Sequence, residues 1–112
     1  MKLIFAPEAA EDMENIYRYY AERNENYAVE LYNQFIEEAE LLQSFPDIAP
    51  KEPLLEEYPE EYRSLIVWRI YKLVYFVENE IVNVVAVFDC RQNPRKLKKK
   101  ISENLKNNYY RS

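Results

Sequence analysis

Apolar side chains recur early in the chain at spacings of three and four. One run is Ala10, Met13, Ile16, Tyr17, Tyr20 and Ala21; the next is Ala28, Leu31, Tyr32, Phe35, Ile36, Ala39 and Leu42. That period is the stripe of an amphipathic helix, so two helices are expected over residues 8–23 and 27–44. Pro7 suits a first-turn position, and Glu8, Glu11 and Asp12 follow where the helix dipole is positive. Asn24 or Asn26 breaks and recaps the chain, and so short a link makes the pair an antiparallel hairpin. Residues 2–6 ahead of it read as a short apolar strand.

From residue 62 the period changes to two, in YRSLIVWRIYKLVYFVENEIVNVVAVFDCRQNP over residues 62–94. Strands are predicted near 62–68, 70–78 and 81–90, the last two a hairpin around Glu78-Asn79-Glu80. The chain has no Gly, so Asn79 is the best candidate for a left-handed turn position. A two-residue turn there pairs 78/81, 76/83, 74/85, 72/87 and 70/89. One face then carries Tyr71, Leu73, Tyr75 and Val77 with Val82, Val84, Ala86 and Phe88, and should pack under the helical hairpin. The other carries Lys72, Val74, Phe76, Asn83, Val85, Val87, Asp89 and Arg91, an open strip with a cationic end. A slip of one residue would bury Lys72 and Asp89 against the helices, at a cost of several kcal/mol, roughly.

Prolines at 46, 50, 53 and 59 make the link between helices and strands an extended connector. Leu97, Ile101 and Leu105 mark a last, narrow-striped helix from residue 95 to about 108, with Lys98, Lys99 and Lys100 on its exposed side. The expected fold is α+β: a twisted antiparallel sheet packed on an N-terminal antiparallel helical hairpin. The first strand is added at one sheet edge, and residues 95–112 form a basic helical tail. At 112 residues, one domain spanning 1–112 is expected.

The net charge of -5 hides a division. Residues 1–60 hold 4 Lys/Arg against 15 Asp/Glu, while residues 61–112 hold 11 against 5. Most of the acids read as solvated helix faces, whereas the cations also occupy strands and point to an anionic partner. No apolar run spans a membrane and no signal-peptide pattern opens the chain, so a soluble, cytoplasmic protein is expected. Cys90 reads as a small buried hydrophobe, and with one Cys and no His neither structural zinc nor another cofactor is expected.

The order strand, helix, helix, connector, three strands, basic tail resembles the RelE/ParE superfamily of bacterial type II toxins over nearly the whole chain. Carrying the resemblance are Leu3-Ile4-Phe5-Ala6-Pro7-Glu8-Ala9, Asp12…Ile16-Tyr17…Tyr20 and Leu42…Phe45-Pro46. Tyr71-Lys72-Leu73-Val74-Tyr75 and Val87-Phe88-Asp89-Cys90-Arg91-Gln92-Asn93-Pro94 complete it. The opening and the helix signature look more like the ParE side, which poisons DNA gyrase, than the RelE side, which cleaves mRNA on the ribosome. The resemblance implies a plasmid-stabilisation toxin silenced by a cognate antitoxin, with gyrase or the ribosome and its mRNA as target. It also allows a homodimer of the free chain.

Carried over by position, the basic constellation of the RNA-cleaving members falls on Arg63, Leu65, Lys72 and the Arg91-Gln92 pair. Cleavage needs a base for the 2′-hydroxyl, cations on the phosphate and an acid for the leaving oxygen. Arg63, Lys72 and Arg91 keep their charge, Leu65 and Gln92 do not, and no His serves as base. Tyr109 or Tyr110 from the tail could substitute. The expectation is therefore inhibition by binding. Partner contacts are assigned to Lys72, Val74, Phe76, Val85, Val87 and Arg91, where a disordered acidic-amphipathic antitoxin segment folds on binding. The alternatives are a ribosome-dependent endoribonuclease using Arg63, Lys72 and Arg91, or a degenerate toxin that only binds antitoxin.

Blander roles compete at single positions. Lys72 reads equally as a solvated charge on an uncovered sheet, and Arg69 as a cap of the turn or a partner of Glu61. Arg91 can pair with Asp89, Trp68 can be an edge-strand packing residue, and Tyr17, Tyr20, Tyr32, Tyr71 and Tyr75 are expected in the core.

Overall fold

The computed structural model describes residues 1–111, with side chains as far as Lys106. Strand β1 (Lys2–Phe5) leads into helix α1 (Pro7–Ala21), and helix α2 (Glu25–Ser44) returns beside it. Both helices form where the apolar stripes predict. Pro7 sits in the first turn of α1, and Asn24 caps α2 by accepting the Tyr27 N–H at 3.1 Å.

Strands β2 (Arg63–Val67), β3 (Tyr71–Glu78) and β4 (Ile81–Asp89) run as an antiparallel meander. Strand β1 joins β4 in parallel, so the sheet is mixed, in the order β1-β4-β3-β2. The proline-rich connector lies along the outer edge of β2, where the Glu52 N–H donates to Tyr62 O at 2.8 Å and the Ser64 N–H to Pro50 O at 3.1 Å. It blunts an edge that would otherwise be open to pairing.

With no glycine to use, both hairpin turns place ordinary residues in the left-handed region. Asn79 and Glu80 have φ of 54° and 61°, Trp68 and Arg69 of 49° and 62°. Asn79 fits the sequence expectation. Trp68 sits in a turn rather than on an edge strand, and such backbone costs roughly 1–2 kcal/mol per residue.

The hairpin register holds from 78/81 through Tyr75↔Val84 and then shifts: Val85 is bulged, and Val74 faces Ala86, Leu73 faces Val87 and Lys72 faces Phe88. Leu73, Tyr75, Val82 and Val84 lie under the helical hairpin as predicted, packed with Met13, Leu31, Phe35 and Leu42. Beyond the bulge the assignments reverse, those of Asp89 and Arg91 included. Val87 belongs to the helical core, while Ala86 and Phe88 belong to the opposite face. A strict period of two cannot register an extra residue, so every assignment past residue 85 inverts.

The opposite face is not open. Helix α3 (Arg95–Arg111) lays Leu97 and Ile101 over Val74, Ala86 and Phe88, with Leu55 and Tyr62 completing a second core. An apolar sheet face and a striped helix bury each other, and the single stripe of α3 has no other surface to cover. Tyr58 Oη and Ser102 Oγ meet at 2.8 Å, Lys98 pairs with Glu57 and Lys100 with Asp12, so two of the three lysines expected in solvent anchor the helix. Cys90 is exposed rather than buried, because β4 ends at Asp89. Of the five tyrosines assigned to the core, Tyr71 and Tyr75 are fully buried, while Tyr32 is exposed.

Candidate functional site

The three cations carried over from the RNA-cleaving relatives do not converge. Arg63 lies opposite Tyr75 and points to the hairpin side, where its guanidinium donates to Ala49 O at 2.7 Å and Glu61 Oε1 at 3.1 Å. Asp47 adds a carboxylate at 3.7 Å. Lys72 projects from the α3 side and donates to Glu52 Oε1 at 2.6 Å. Arg91 follows the end of β4 and forks onto Asp89 from Nε and Nη2 at 3.0 and 2.8 Å, the ion pair that sequence spacing offered. Its Nη2 also lies 3.5 Å from Tyr20 Oη of α1, so it too faces the hairpin side. Arg63 is level with Tyr75 and Arg91 beyond Tyr71, four residues and roughly 13 Å apart along β3. Leu65, opposite Leu73, packs against the hairpin core.

Each charge is also neutralised. Glu52 is nearly fully buried, and Lys72 Nζ, the Ser64 hydroxyl at 2.8 Å and the Leu54 N–H at 3.1 Å all donate to it. Burial opposes its charge, yet these donors outweigh burial and hold its pKa below the usual value. Arg91 holds the Asp89 carboxyl below the usual range and is itself raised by Asp89. Tyr71 and Tyr62 are poor bases because burial pushes both hydroxyls up, Tyr62 to about 12. The side chains of Tyr109 and Tyr110 lie outside the described residues.

Of the six residues assigned to partner contact, Val74 and Val87 are buried in opposite cores, and Lys72 is engaged by Glu52. Phe76 and Val85 keep partial exposure beside a pocket of about 180 Å³ that Ile4, Ile101 and Leu105 also line. Arg91 is exposed at the mouth of a cleft of about 770 Å³ between α1 and α3. Tyr19, Tyr20 and Tyr71 line that cleft on one side and Lys96, Lys99 and Lys100 on the other.

Asp12 lies at the back of the cleft. Its Oδ2 accepts the Val87 N–H at 3.0 Å, just past the point where β1 stops pairing with β4, and its other oxygen takes Lys100. Burial raises the Asp12 pKa, and Lys100 and the Val87 N–H only partly offset it. Sequence reasoning read Asp12 as a helix-dipole partner and gave Glu52 no role. No periodicity reports on a carboxylate whose partners are 20 residues away, as Lys72 is from Glu52, or 88, as Lys100 is from Asp12.

The mixed sheet, the helical hairpin and the covering third helix set the fold, and comparison with known proteins sets the family. A family model described as the ParE toxin of the type II toxin-antitoxin system, parDE, matches residues 3–94. The chain belongs to the ParE toxin family. A chain from the chromosomal ParDE toxin–antitoxin system of P. aeruginosa superposes with a TM-score of 0.66 at 21 % identity, covering 80 % of this chain and 95 % of that one. At that identity the likeness speaks for the fold. No curated protein matches the sequence. In this ParE-family toxin the matched span stops at residue 94, so α3 lies beyond it. No described helix is long and apolar enough to cross a membrane. Among the described residues no three His, Cys, Asp or Glu cluster to hold a metal.

Proposed function

We propose that this toxin inhibits growth by binding a protein target such as DNA gyrase, that a cognate antitoxin silences it, and that it does not cut RNA. The observation carrying this reading is the dispersal of the three cations: Lys72 lies on the α3 side while Arg63 and Arg91 stand roughly 13 Å apart on the hairpin side, each against its own carboxylate. Phosphoryl-transfer catalysis needs several charges converging on one phosphate, and losing one such donor costs about two to three orders of magnitude in rate. Protein recognition tolerates spread-out charge. A binding toxin paired with an antitoxin suits plasmid stabilisation in a bacterial cytoplasm. Phe76 and Val85 are the remaining apolar contacts for an antitoxin segment that orders as it binds.

The test is regulated expression in a bacterial host with two readouts, followed by purified components. Gyrase inhibition and a DNA-damage response, both relieved by the adjacent small open reading frame, support the reading. Codon-specific mRNA cleavage in a purified translation system, lost on changing Lys72 or Arg91, refutes it.

A further inference from the structure

The β2–β3 turn is costlier than a plain connection requires. Trp68 and Arg69 both hold positive φ, and a bulky aromatic is among the least suited residues for that region. Strain of this kind persists where the surroundings over-determine it, and it clusters at functional sites. Two observations on this turn point outward. Trp68 remains 38 % exposed although its ring lies 5.5 Å from that of Tyr27. Arg69 is exposed with no hydrogen bond or ion pair among the described residues; Glu61, the partner in one of the two roles the sequence offered it, sits at the far end of β2 with Lys51 and Arg63.

The aromatic surface does not stop at Trp68. Tyr27 contacts Tyr20 and Tyr20 contacts Tyr19, each with ring centroids 5.0 Å apart, and the row ends in the cleft between α1 and α3. Arg23 lies over the Tyr19 ring at 4.0 Å, and Arg91 touches Tyr20. Trp, Tyr and Arg are the residue types that dominate binding energy at protein interfaces.

We infer that this row, from Trp68 and Arg69 to Tyr19 and Arg91, is the surface by which the toxin grips an acidic patch on its protein target. The inference rests on the binding reading above and names its contact surface. Charge complementarity selects the partner: Arg23, Arg69 and Arg91 stand along the row, Arg23 and Arg69 without an ion pair among the described residues, while of the carboxylates at its end Asp89 is taken by Arg91 and Asp12 by Lys100. Single-stranded nucleic acid fits less well. Base stacking needs free ring faces, whereas these rings meet edge to face or tilted and Arg23 occupies a face of Tyr19.

The test compares Arg69→Gly and Trp68→Asn with the parent toxin, using purified DNA gyrase, purified antitoxin and a single-stranded oligonucleotide as probes. Both replacements tolerate positive φ, so a folding defect is not built in. The inference expects each variant to melt no more than a few degrees below the parent and to bind gyrase at least about tenfold more weakly. It also expects a shallower salt dependence for Arg69→Gly and unchanged antitoxin binding. Undiminished gyrase binding in both variants overturns it. So does a loss confined to the antitoxin, or tighter binding to the oligonucleotide than to gyrase. A parent toxin that neither binds gyrase nor arrests growth removes the binding reading itself, and the inference with it.

Discussion

Among the described residues, Glu52 and Lys72 form the one charge pair in which a carboxylate is buried almost completely: Lys72 Nζ lies 2.6 Å from Oε1, with side-chain exposures of 24 % and 1 %. The connector thereby reaches across β2 to lock the second strand of the hairpin from the α3 side. Replacing Glu52 with Gln keeps the shape but removes the charge from a site built for an anion. We expect a loss of about 2 kcal/mol, toward the low end for a broken buried pair because Lys72 can turn to water. Denaturant midpoints measure it, and a change too small to resolve would mean that the pair adds nothing.

Acid stability should carry two opposed contributions. The Glu52 pKa is lowered on folding, so its stabilisation is present above the unfolded value of 4.5 and is lost as pH falls through the folded value. The Asp12 pKa is raised, so its contribution is full below 3.8 and is lost as pH rises through the folded value. In melting curves between about pH 3 and pH 7, Glu52→Gln should approach the parent toward acid, and Asp12→Asn should gain on the parent toward neutral. Parallel profiles for both variants would contradict these shifts.

The docking of α3 should be separable from the rest of the fold. Leu97→Ala removes a fully buried side chain from the second core and should cost about 3 kcal/mol. Because Leu97 contacts that core alone, hydrogen exchange should speed up in α3 and over residues 53–58 while amides of α1 and α2 stay protected. Uniform loss of protection would show that the two cores unfold as one unit.

Glycine should improve a turn that lacks it. Glu80 holds a φ of 61° in a two-residue hairpin after Asn79, where Asn-Gly is the favoured pair. Glu80→Gly should stabilise by about 1 kcal/mol, or roughly 4 °C or more in Tm for a domain of this size. A calorimetric scan decides it.

The elements were legible from the chain because their signals are local. Stripe spacing found both helices of the hairpin, the Asn24/Asn26 pair announced a cap that falls on Asn24, and Asn79 announced a turn. The ParE-like opening is local as well, since Pro7 and Asp12 fall at fixed steps from β1. What could not be read depends on the third dimension. The bulge at Val85 obeys no period, so the faces of Val87 and Phe88 came out reversed. The cover over Val74 was missed because Leu97 and Ile101 advertise a stripe without saying what it faces. At the candidate site the identities of Arg63, Lys72 and Arg91 were visible but their directions were not. Cross-strand pairing separates Arg63 and Lys72, and Glu52 and Asp47 reach them from the distant connector, whereas Asp89, two residues from Arg91, was within reach of a sequence reading.

The bulge has a further consequence for how this sequence can vary. Residues before and after Val85 are out of phase, and both cores depend on that offset. Deleting Val85 would restore a regular ladder with Ala86, Val87 and Phe88 still opposite Val74, Leu73 and Lys72, so both cores would keep their side chains. Strand β4 can thus lose its bulged residue without exchanging faces, whereas one more inserted residue beyond the bulge would need a second bulge or would invert the faces after it. Tags or grafted sequence belong in the exposed Arg91–Asn93 link to α3 or at the chain ends, where a change in length shifts no register.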